Sequence, residues 1–348
     1  MEAPRNPKDS MKMTWPKGPR DKWGIHHWAI ELLNAYPLDL NKEVPVHSKQ
    51  DKVPHMPGWS AHRWILVYAS IPLILHQAYT YFTGRYLGPI AAFWLYFGLF
   101  NAVVIKQVYI SRRLGHQYGF LDGDKHERDG IPDVGVGRVV QSLYKTTGGR
   151  IALAIWLTYK PDQLPLDMRW EWLFLEIGLY GIVLDFWFYW YHRAMHDIDW
   201  LWRYHRTHHL TKHPNVLLTA YADHEQEFFD MVGVPFMTYA TLKLVGLPMT
   251  YYEWWICHQY IVFTEVFGHS GIRMNGSATS TLSWLLDYFG WNIIIEDHDL
   301  HHRKGYRKSY NYGKQTRVWD KLFGTCHDRI ETYDENIDYE NTVTMPLF

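Results

Sequence analysis

The chain has 348 residues with 35 Lys and Arg against 36 Asp and Glu, and the formal charge of −1 gives no general electrostatic case for binding nucleic acid. Aromatic residues make up 17% of the sequence and charged residues 20%, which excludes collagen, coiled coils, disordered tails and small secreted scaffolds. The two cysteines, Cys257 and Cys326, cannot build a disulfide framework and favour a reducing, cytosolic environment.

The first 60 residues form a polar segment rich in proline. No apolar core follows the N-terminus, so we expect no signal peptide. The character then changes, because residues 64–83 contain no Asp, Glu, Lys or Arg and residues 90–110 contain a single lysine. Each of these two stretches is long enough to cross a bilayer as a helix.

Four further apolar stretches follow a polar loop at 111–150. Residues 151–159 are too short to span alone, whereas 172–191 are long enough despite two carboxylates. Residues 228–242 and 250–267 predict a helical hairpin that is reentrant or half-buried in the membrane. We therefore predict an all-α polytopic membrane protein with about four transmembrane helices and a cytosolic helical cap. Buried helices of a large soluble protein are the alternative.

Basic residues are unevenly distributed between the loops. The N-terminal stretch to Arg63 holds ten Lys and Arg and the loop 111–150 holds seven, whereas 84–89 holds one and 160–171 holds two. The positive-inside rule therefore predicts that the N-terminus, the loop 111–150 and the residues after Tyr191 lie in the cytosol.

Histidines are concentrated in the second half of the chain. His192 and His196 are four residues apart, so on a helix they share one face and can bind one metal. The spacing H-x-x-H-H then occurs twice, beginning at His205 and at His298, and again places imidazoles on one face. Three such boxes are difficult to explain without a metal, because so many buried ring nitrogens would need partners.

The number of histidines implies two ions, since they exceed the ligands that one ion can hold. Imidazole suits Zn, Cu, Fe and Ni alike, so the ligand type leaves the metal open. Two ions about 3.5–4 Å apart could bind a small bridging species such as oxygen. A site beside transmembrane helices favours oxidation of an apolar substrate over hydrolysis.

Together the boxes and the C-terminal motif resemble those of the fatty acid hydroxylase/sterol desaturase superfamily. The resemblance runs from about Leu173 to Thr325. It includes Asp185 ahead of the first box, the sequence D-H-D-L-H-H at 297–302, and an ending in N-Y-G at 311–313 followed by W-D-K-L-F-G-T at 319–325. The combined pattern is highly specific.

The resemblance implies an integral membrane, non-haem di-iron oxidase that uses O₂ and two electrons at a cytosol-facing site. Members hydroxylate or desaturate fatty acyl chains, sphingoid bases or sterols, so a lipophilic substrate is expected, with lipophilic secondary metabolites as a further possibility. The chain lacks an H-P-G-G haem domain and a G-x-G-x-x-G motif. Electrons are therefore expected from a separate donor such as cytochrome b5 with an NAD(P)H reductase, and residence in the endoplasmic reticulum rests on the resemblance alone.

The resemblance also suggests a domain organisation and a set of ligands. We expect a polar segment at 1–60, membrane helices and a cytosolic loop at 61–170, a hydroxylase-like catalytic domain at 171–325 and a tail at 326–348. His224 and His269 join the boxes as ligands or as hydrogen-bonding neighbours of ligands. The eight box histidines are the catalytic candidates, and with these two they form the set of metal ligands: His192, His196, His205, His208, His209, His224, His269, His298, His301 and His302.

Other histidines are expected outside the site. His213 precedes a proline and is predicted to be an exposed loop residue, whereas His258 is predicted to be buried and hydrogen-bonded or to line a pocket. His76, inside the first predicted span, is predicted to be an interhelical packing contact.

Several charged residues lie next to the boxes. Asp185 either orients a ligand imidazole or is an interfacial charge, and Asp297 and Asp299 are candidates to hydrogen-bond ligands. The basic run at 303–308 is interpreted as a solvated or membrane-surface face, with docking of an acidic electron donor as the alternative.

Two other functional classes remain as alternatives. One is a zinc-dependent lipid hydrolase, against which the chain has no G-x-S-x-G motif and no carboxylate-dominated ligand set. The other is a non-catalytic membrane lipid-binding protein, against which all three boxes are intact.

Overall fold

The structure is a computed structural model that describes residues 7–33, 43–125 and 127–348. It is mostly helical. The described residues form twelve α-helices, which are α1 (Ile25–Leu32), α2 (Gly58–Thr83), α3 (Pro89–Tyr118), α4 (Val136–Thr158), α5 (Trp170–Asp197), α6 (Asp199–His205), α7 (His224–Phe228), α8 (Val234–Leu244), α9 (Tyr251–Gly268), α10 (Ser283–Tyr288), α11 (Ile295–Lys304) and α12 (Val318–Phe323).

Three of these helices, α2, α3 and α5, are long and apolar enough to cross a membrane. Proline and glycine set their ends: α2 begins after Pro57 and stops at Gly84, whose φ of 66° is left-handed, and α3 begins at Pro89. The prediction of about four spans is not confirmed. The short apolar stretch at 151–159 forms the end of the 23-residue helix α4, which is not among the candidates and carries Arg138 and Arg150.

The two carboxylates in the apolar middle of α5, Glu176 and Asp185, have hydrogen-bond partners in the protein. Glu176 accepts a hydrogen bond from the backbone N–H of Met249 at 2.7 Å, and Asp185 accepts several from a C-terminal loop. Both side chains are buried. An apolar span can therefore hold these acids, because polar backbone from outside the span satisfies them.

Helix α9 is the centre of the core. Nearly every side chain on it is buried, and it contacts α2, α3, α4 and α5. Its two adjacent indoles are satisfied internally: Trp254 Nε1 donates to the Tyr180 hydroxyl at 2.6 Å and Trp255 Nε1 donates to the Ala69 carbonyl at 2.9 Å. A helix that is apolar on all sides is expected to be enclosed by others, as α9 is.

A small parallel sheet departs from the all-α prediction. Its order is β2-β1-β3, formed by β1 (Val53–Met56), β2 (Asn275–Gly276) and β3 (Ile337–Thr342). The strands are short and widely separated in sequence, so no local alternation predicted them. The sheet ties the residues just before α2 to the C-terminal tail.

The described part of the polar N-terminal segment is packed against the rest of the protein. Helix α1 contacts α4, and Trp15 and Ile30 are buried in a cluster with residues of α4. Asp133 accepts hydrogen bonds from the backbone N–H groups of Thr14 and Trp15 at 2.7 and 2.9 Å. Residues 1–6 and 34–42 of this segment lie outside the described ranges.

Candidate metal centre

The three histidine boxes converge in the structure. The last turns of α5 carry the first box, α6 and the short helix after it carry the second, and α11 carries the third. His269, which directly follows α9, joins them. One group contains His192, His196, His205, His209 and His301, and the other contains His208, His269, His298 and His302.

Both groups are compact enough to hold one ion each. Within each group the candidate ligand atoms all lie within 4.8 Å of one another, and every histidine is buried. The Nε2–Nε2 distance is 2.9 Å between His192 and His205, 3.1 Å between His205 and His196, and 2.9 Å between His269 and His298. Metal–nitrogen bonds of about 2.0–2.1 Å place neighbouring ligand nitrogens about 2.9–3.4 Å apart at right to tetrahedral angles.

The outer ring nitrogens determine which tautomer is present. His192 Nδ1 donates to the Tyr312 carbonyl at 2.7 Å, and His301 Nδ1 donates to the Tyr310 carbonyl at 2.6 Å. In total, seven of the nine histidines point Nδ1 toward an oxygen atom of the protein. Since a carbonyl can only accept, Nδ1 carries the proton and Nε2 presents a lone pair to its neighbours. Several lone pairs about 3 Å apart repel one another, and a cation between them removes that repulsion.

Burial keeps these imidazoles neutral. Burial, together with neighbouring His269, lowers the pKa of His208 to about 3, and burial lowers the pKa of His269 to about 4. The pKa values of His205, His298 and His302 are also depressed, by burial first and by neighbouring histidines second. A neutral imidazole is the form that binds a metal, so the environment suits ligation.

His224 does not join either group. Its side chain is 57% exposed, and its Nδ1 lies 3.3 Å from Glu227 Oε2. The structure therefore brings together nine of the ten predicted ligands and leaves this one at the surface. His224 begins α7, and its i+3 neighbour Glu227 draws the ring along the helix.

Two of the remaining histidines differ from expectation. His213 is buried, not exposed, and its Nδ1 lies 3.4 Å from the guanidinium of Arg128. His258 is buried as predicted and lies outside both groups, but its ring nitrogens have no hydrogen-bond partner among the described residues. His76 is the predicted interhelical contact, because its Nδ1 lies 3.2 Å from the hydroxyl of Tyr96 on α3.

Asp185 fixes a loop and, among the described residues, is hydrogen-bonded to no candidate ligand histidine. Its carboxylate accepts hydrogen bonds from the backbone N–H groups of Lys314, Gln315 and Thr316 at 2.7–3.0 Å. Asp320 holds the two residues before Lys314 in a similar way. Its carboxylate accepts hydrogen bonds from the backbone N–H groups of Tyr312 and Gly313 at 2.8 Å. The two carboxylates thus position the Tyr312 carbonyl that receives His192.

The acids that flank the third box also act through ion pairs. Asp299 binds Arg128 at 2.6 Å and Arg303 at 3.0 Å, and Asp297 binds Arg329 at 2.8 Å. Neither acid is hydrogen-bonded to a ligand histidine in the described part of the chain. The interpretation of Arg303 as a solvated residue is wrong, since its side chain is 4% exposed, whereas Lys304, Arg307 and Lys308 are exposed.

A cavity of about 110 Å³ opens onto both histidine groups. Residues of α3 and α9, including Phe100, Val104 and Val262, form apolar parts of its wall. His192 and His205 from one group and His208, His269 and His298 from the other line it as well.

Sequence reasoning missed several polar residues of this cavity. Gln226 Oε1 accepts from His205 Nδ1 at 3.0 Å. Glu265 binds Arg150 at 2.9 Å and Lys314 at 2.8 Å, and its carbonyl accepts from His269 Nδ1. The histidine-box motif does not indicate these residues. The carboxylate of Glu265, four residues before His269, is the one that spacing on a helix could have indicated.

Known proteins resemble this chain over the same region. The sequence profile of fatty acid hydroxylases matches residues 177–325. The fatty acid hydroxylase vlmA of Lecanicillium sp is 44% identical over 317 residues, 87% of each chain. Methylsterol monooxygenase 2-2 of Arabidopsis thaliana is 28% identical over 76% of this chain and 95% of its own length. Alkylglycerol monooxygenase of Xenopus tropicalis is 26% identical over 56% of this chain and 37% of its own length. No solved structure matches.

Proposed function

The chain belongs to the fatty acid hydroxylase family, and from this premise we propose that it is a membrane-bound, O₂-dependent oxidase of lipophilic substrates. The observation that supports this most strongly is the convergence of nine buried histidines into two groups, both of which contribute to the wall of one partly apolar cavity. An apolar chain in that cavity would lie directly against the histidine groups.

We further propose that the two groups hold two iron ions. The nine histidines offer neutral nitrogen ligands, and no carboxylate belongs to either group among the described residues. Such a ligand set leaves a metal pair positively charged and suits Fe among several transition metals. When bound, the pair would supply activation of O₂ for attack on an unactivated C–H bond.

The residues of the chain would perform three tasks. The carbonyls of Tyr312 and Tyr310 keep the ring nitrogens oriented, which holds the ligand geometry fixed through the reaction. The apolar wall excludes water from the oxidising site. The cavity aligns one C–H position of the substrate with the site. Hydroxylation is proposed over desaturation because the 44% identical relative is named a hydroxylase.

The proposal includes a location and a partner. The three candidate spans support integral membrane attachment, and the distribution of basic residues supports a cytosolic site, proposed to be at the endoplasmic reticulum. Electrons would come from a separate donor such as cytochrome b5 with its NAD(P)H reductase. The exposed basic residues Lys304, Arg307 and Lys308 follow the third box and offer a surface of suitable charge for an acidic donor.

Metal analysis combined with product analysis tests this function. We expect detergent-purified full-length protein to contain about two iron atoms per chain. With reductant and donor it should convert a lipid extract to products that contain one added oxygen atom from ¹⁸O₂. Stoichiometric zinc together with lipid hydrolysis in the absence of O₂ would contradict the proposal. The matched control is the double variant in which both His192 and His298 are replaced by Ala.

A further inference from the structure

A distorted stretch of helix lies in the wall of the cavity. Residues Phe229–Gly233, between α7 and α8, form a π-helix. Such stretches are rare in proteins, but those that exist are often found at functional sites, because the extra residue redirects the side chains. Asp230, in this π-helix, and Glu227, three residues earlier, both line the cavity.

These two carboxylates present acceptor oxygens that nothing in the described structure satisfies. Glu227 is 5% exposed, and its Oε1 is buried without a hydrogen-bond partner among the described residues. The same holds for Oδ1 of Asp230. The other oxygen of Glu227 lies 3.3 Å from His224 Nδ1. A buried acceptor without a donor costs about 1–3 kcal/mol, and more if it is charged, so each oxygen requires a donor.

The other charges of the cavity are two cations and one carboxylate that pair with each other. Glu265 lies between Arg150 and Lys314, with ion-pair distances of 2.9 and 2.8 Å. Lys314 also lies over the ring of Phe188, with Nζ 3.9 Å from its centroid. The two cations and three carboxylates that line the cavity leave one excess negative charge when the histidines are neutral. A donor group is therefore favoured at this wall over an anion.

The carboxylates are linked to the candidate metal centre by one side chain. Gln226, which directly precedes Glu227 and lines the same cavity, accepts from His205 Nδ1 at 3.0 Å. A group bound to the carboxylates would therefore lie close to the five-histidine group. The remainder of the substrate would extend along the apolar wall formed by α3 and α9.

We propose that Glu227 and Asp230 bind the polar end of the substrate through hydrogen-bond donors on it. The substrate class is then a lipid with a hydroxyl, amine or amide N–H at that end, and not a free fatty acid anion. This inference rests on the proposed oxidase function only in taking the cavity as the substrate site. It predicts binding selectivity, which is measurable without turnover.

Binding under anaerobic conditions tests the inference with probes of one chain length. Purified full-length protein is equilibrated with radiolabelled hexadecanol, methyl hexadecanoate or hexadecanoate, which differ only in the polar end. Because hydrogen bonds to charged groups contribute about 1.5–3 kcal/mol, we expect the alcohol to bind at least about tenfold more tightly than the other two. The variants Glu227→Gln and Asp230→Asn should each reduce that ratio several-fold, whereas Glu225→Gln, an exposed residue of α7, should leave it unchanged.

Each outcome distinguishes this inference from the proposed function. Equal or tighter binding of hexadecanoate by the wild-type protein, or a ratio unaffected by both variants, would overturn the recognition of a donor. Because the wild-type comparison needs no variant to fold, that result is decisive alone. Preference for the alcohol without any O₂-dependent product would leave the recognition intact and contradict the oxidase function instead.

Discussion

His192 Nδ1 donates a hydrogen bond to the backbone carbonyl of Tyr312 at 2.7 Å, across 120 residues of sequence. This contact joins the first histidine box to the N-Y-G sequence near the C-terminus. A backbone carbonyl can orient a histidine only if its loop is held in place, and Asp185 and Asp320 hold this loop from both sides. The contact gives a physical reason for the C-terminal motif to accompany the boxes.

Replacing Gly313 by Ala should disturb this loop. A Cβ at Gly313 would lie 2.5 Å from the Thr316 carbonyl oxygen and 2.9 Å from Asp185 Oδ2. Overpacking of this kind costs about 1–3 kcal/mol, so we expect a lower Tm and reduced bound metal after purification. Gly149→Ala in α4 is the control, because nothing lies within 4 Å of its added Cβ. Equal Tm values for the two variants would show that the loop is not tightly held.

Replacing His298 by Ala should remove metal from the centre. The four-histidine group loses one of its ligands, and no other described histidine is within reach to replace it. We expect bound iron to fall by about half or more and O₂-dependent turnover to be abolished, while the protein remains in the membrane fraction. His224→Ala should retain both, since that side chain is exposed. Iron loss in the His224 variant with retention in the His298 variant would reverse the assignment.

The ion pair of Arg128 with Asp299 should be important for stability. Both side chains are fully buried and 2.6 Å apart, so Arg128→Met leaves a buried charge that only Arg303 can partly compensate. We expect a loss of stability toward the lower end of about 3–5 kcal/mol, measured as a decrease in Tm.

The comparison variant is Arg169→Met, which keeps a similar stem. Arg169 pairs with Glu171, but the two side chains are 58% and 56% exposed. Exposed pairs contribute about 0–1 kcal/mol, so this variant should change Tm little. Similar decreases in Tm for the two variants would mean that burial does not determine how much these ion pairs contribute to stability.

The turn between α2 and α3 should lie on the opposite side of the membrane from the turn between α3 and α4. Helix α3 has 30 residues, about 45 Å, which is enough to cross a bilayer. An acceptor site for N-glycosylation inserted at 84–88 should be glycosylated in microsomes, and one inserted at 122–125 should not. The reverse pattern would place the histidine groups in the lumen.

The sequence predicted the site best where the histidines of one box lie on a single helix. His192 with His196, and His298 with His301 and His302, lie on common faces because helical spacing brings them there. His224 fits the same family pattern, yet it begins a short helix whose packing turns it outward. Nothing local in the sequence distinguishes it from His269, because that difference arises from tertiary packing.

The loop histidine and the cavity acids show the same limitation. His213 precedes a proline, which suggested exposure, but Asp129 accepts hydrogen bonds from the N–H groups of Lys212 and His213 and draws this loop inward. Asp230 carries no motif, and its position depends on the π-helix, which the local sequence does not predict. The small sheet likewise depends on residues nearly 300 positions apart.

Helix α11 contributes to both histidine groups, through His301 to one and through His298 and His302 to the other. This arrangement imposes an order on biosynthesis, because translation completes α2, α3 and α5 long before it reaches residue 295. Neither of the proposed ions could acquire its full set of ligands before translation reaches the last sixth of the chain. Membrane insertion would therefore precede loading of the proposed ions, and a chain truncated before α11 is expected to insert without acquiring iron.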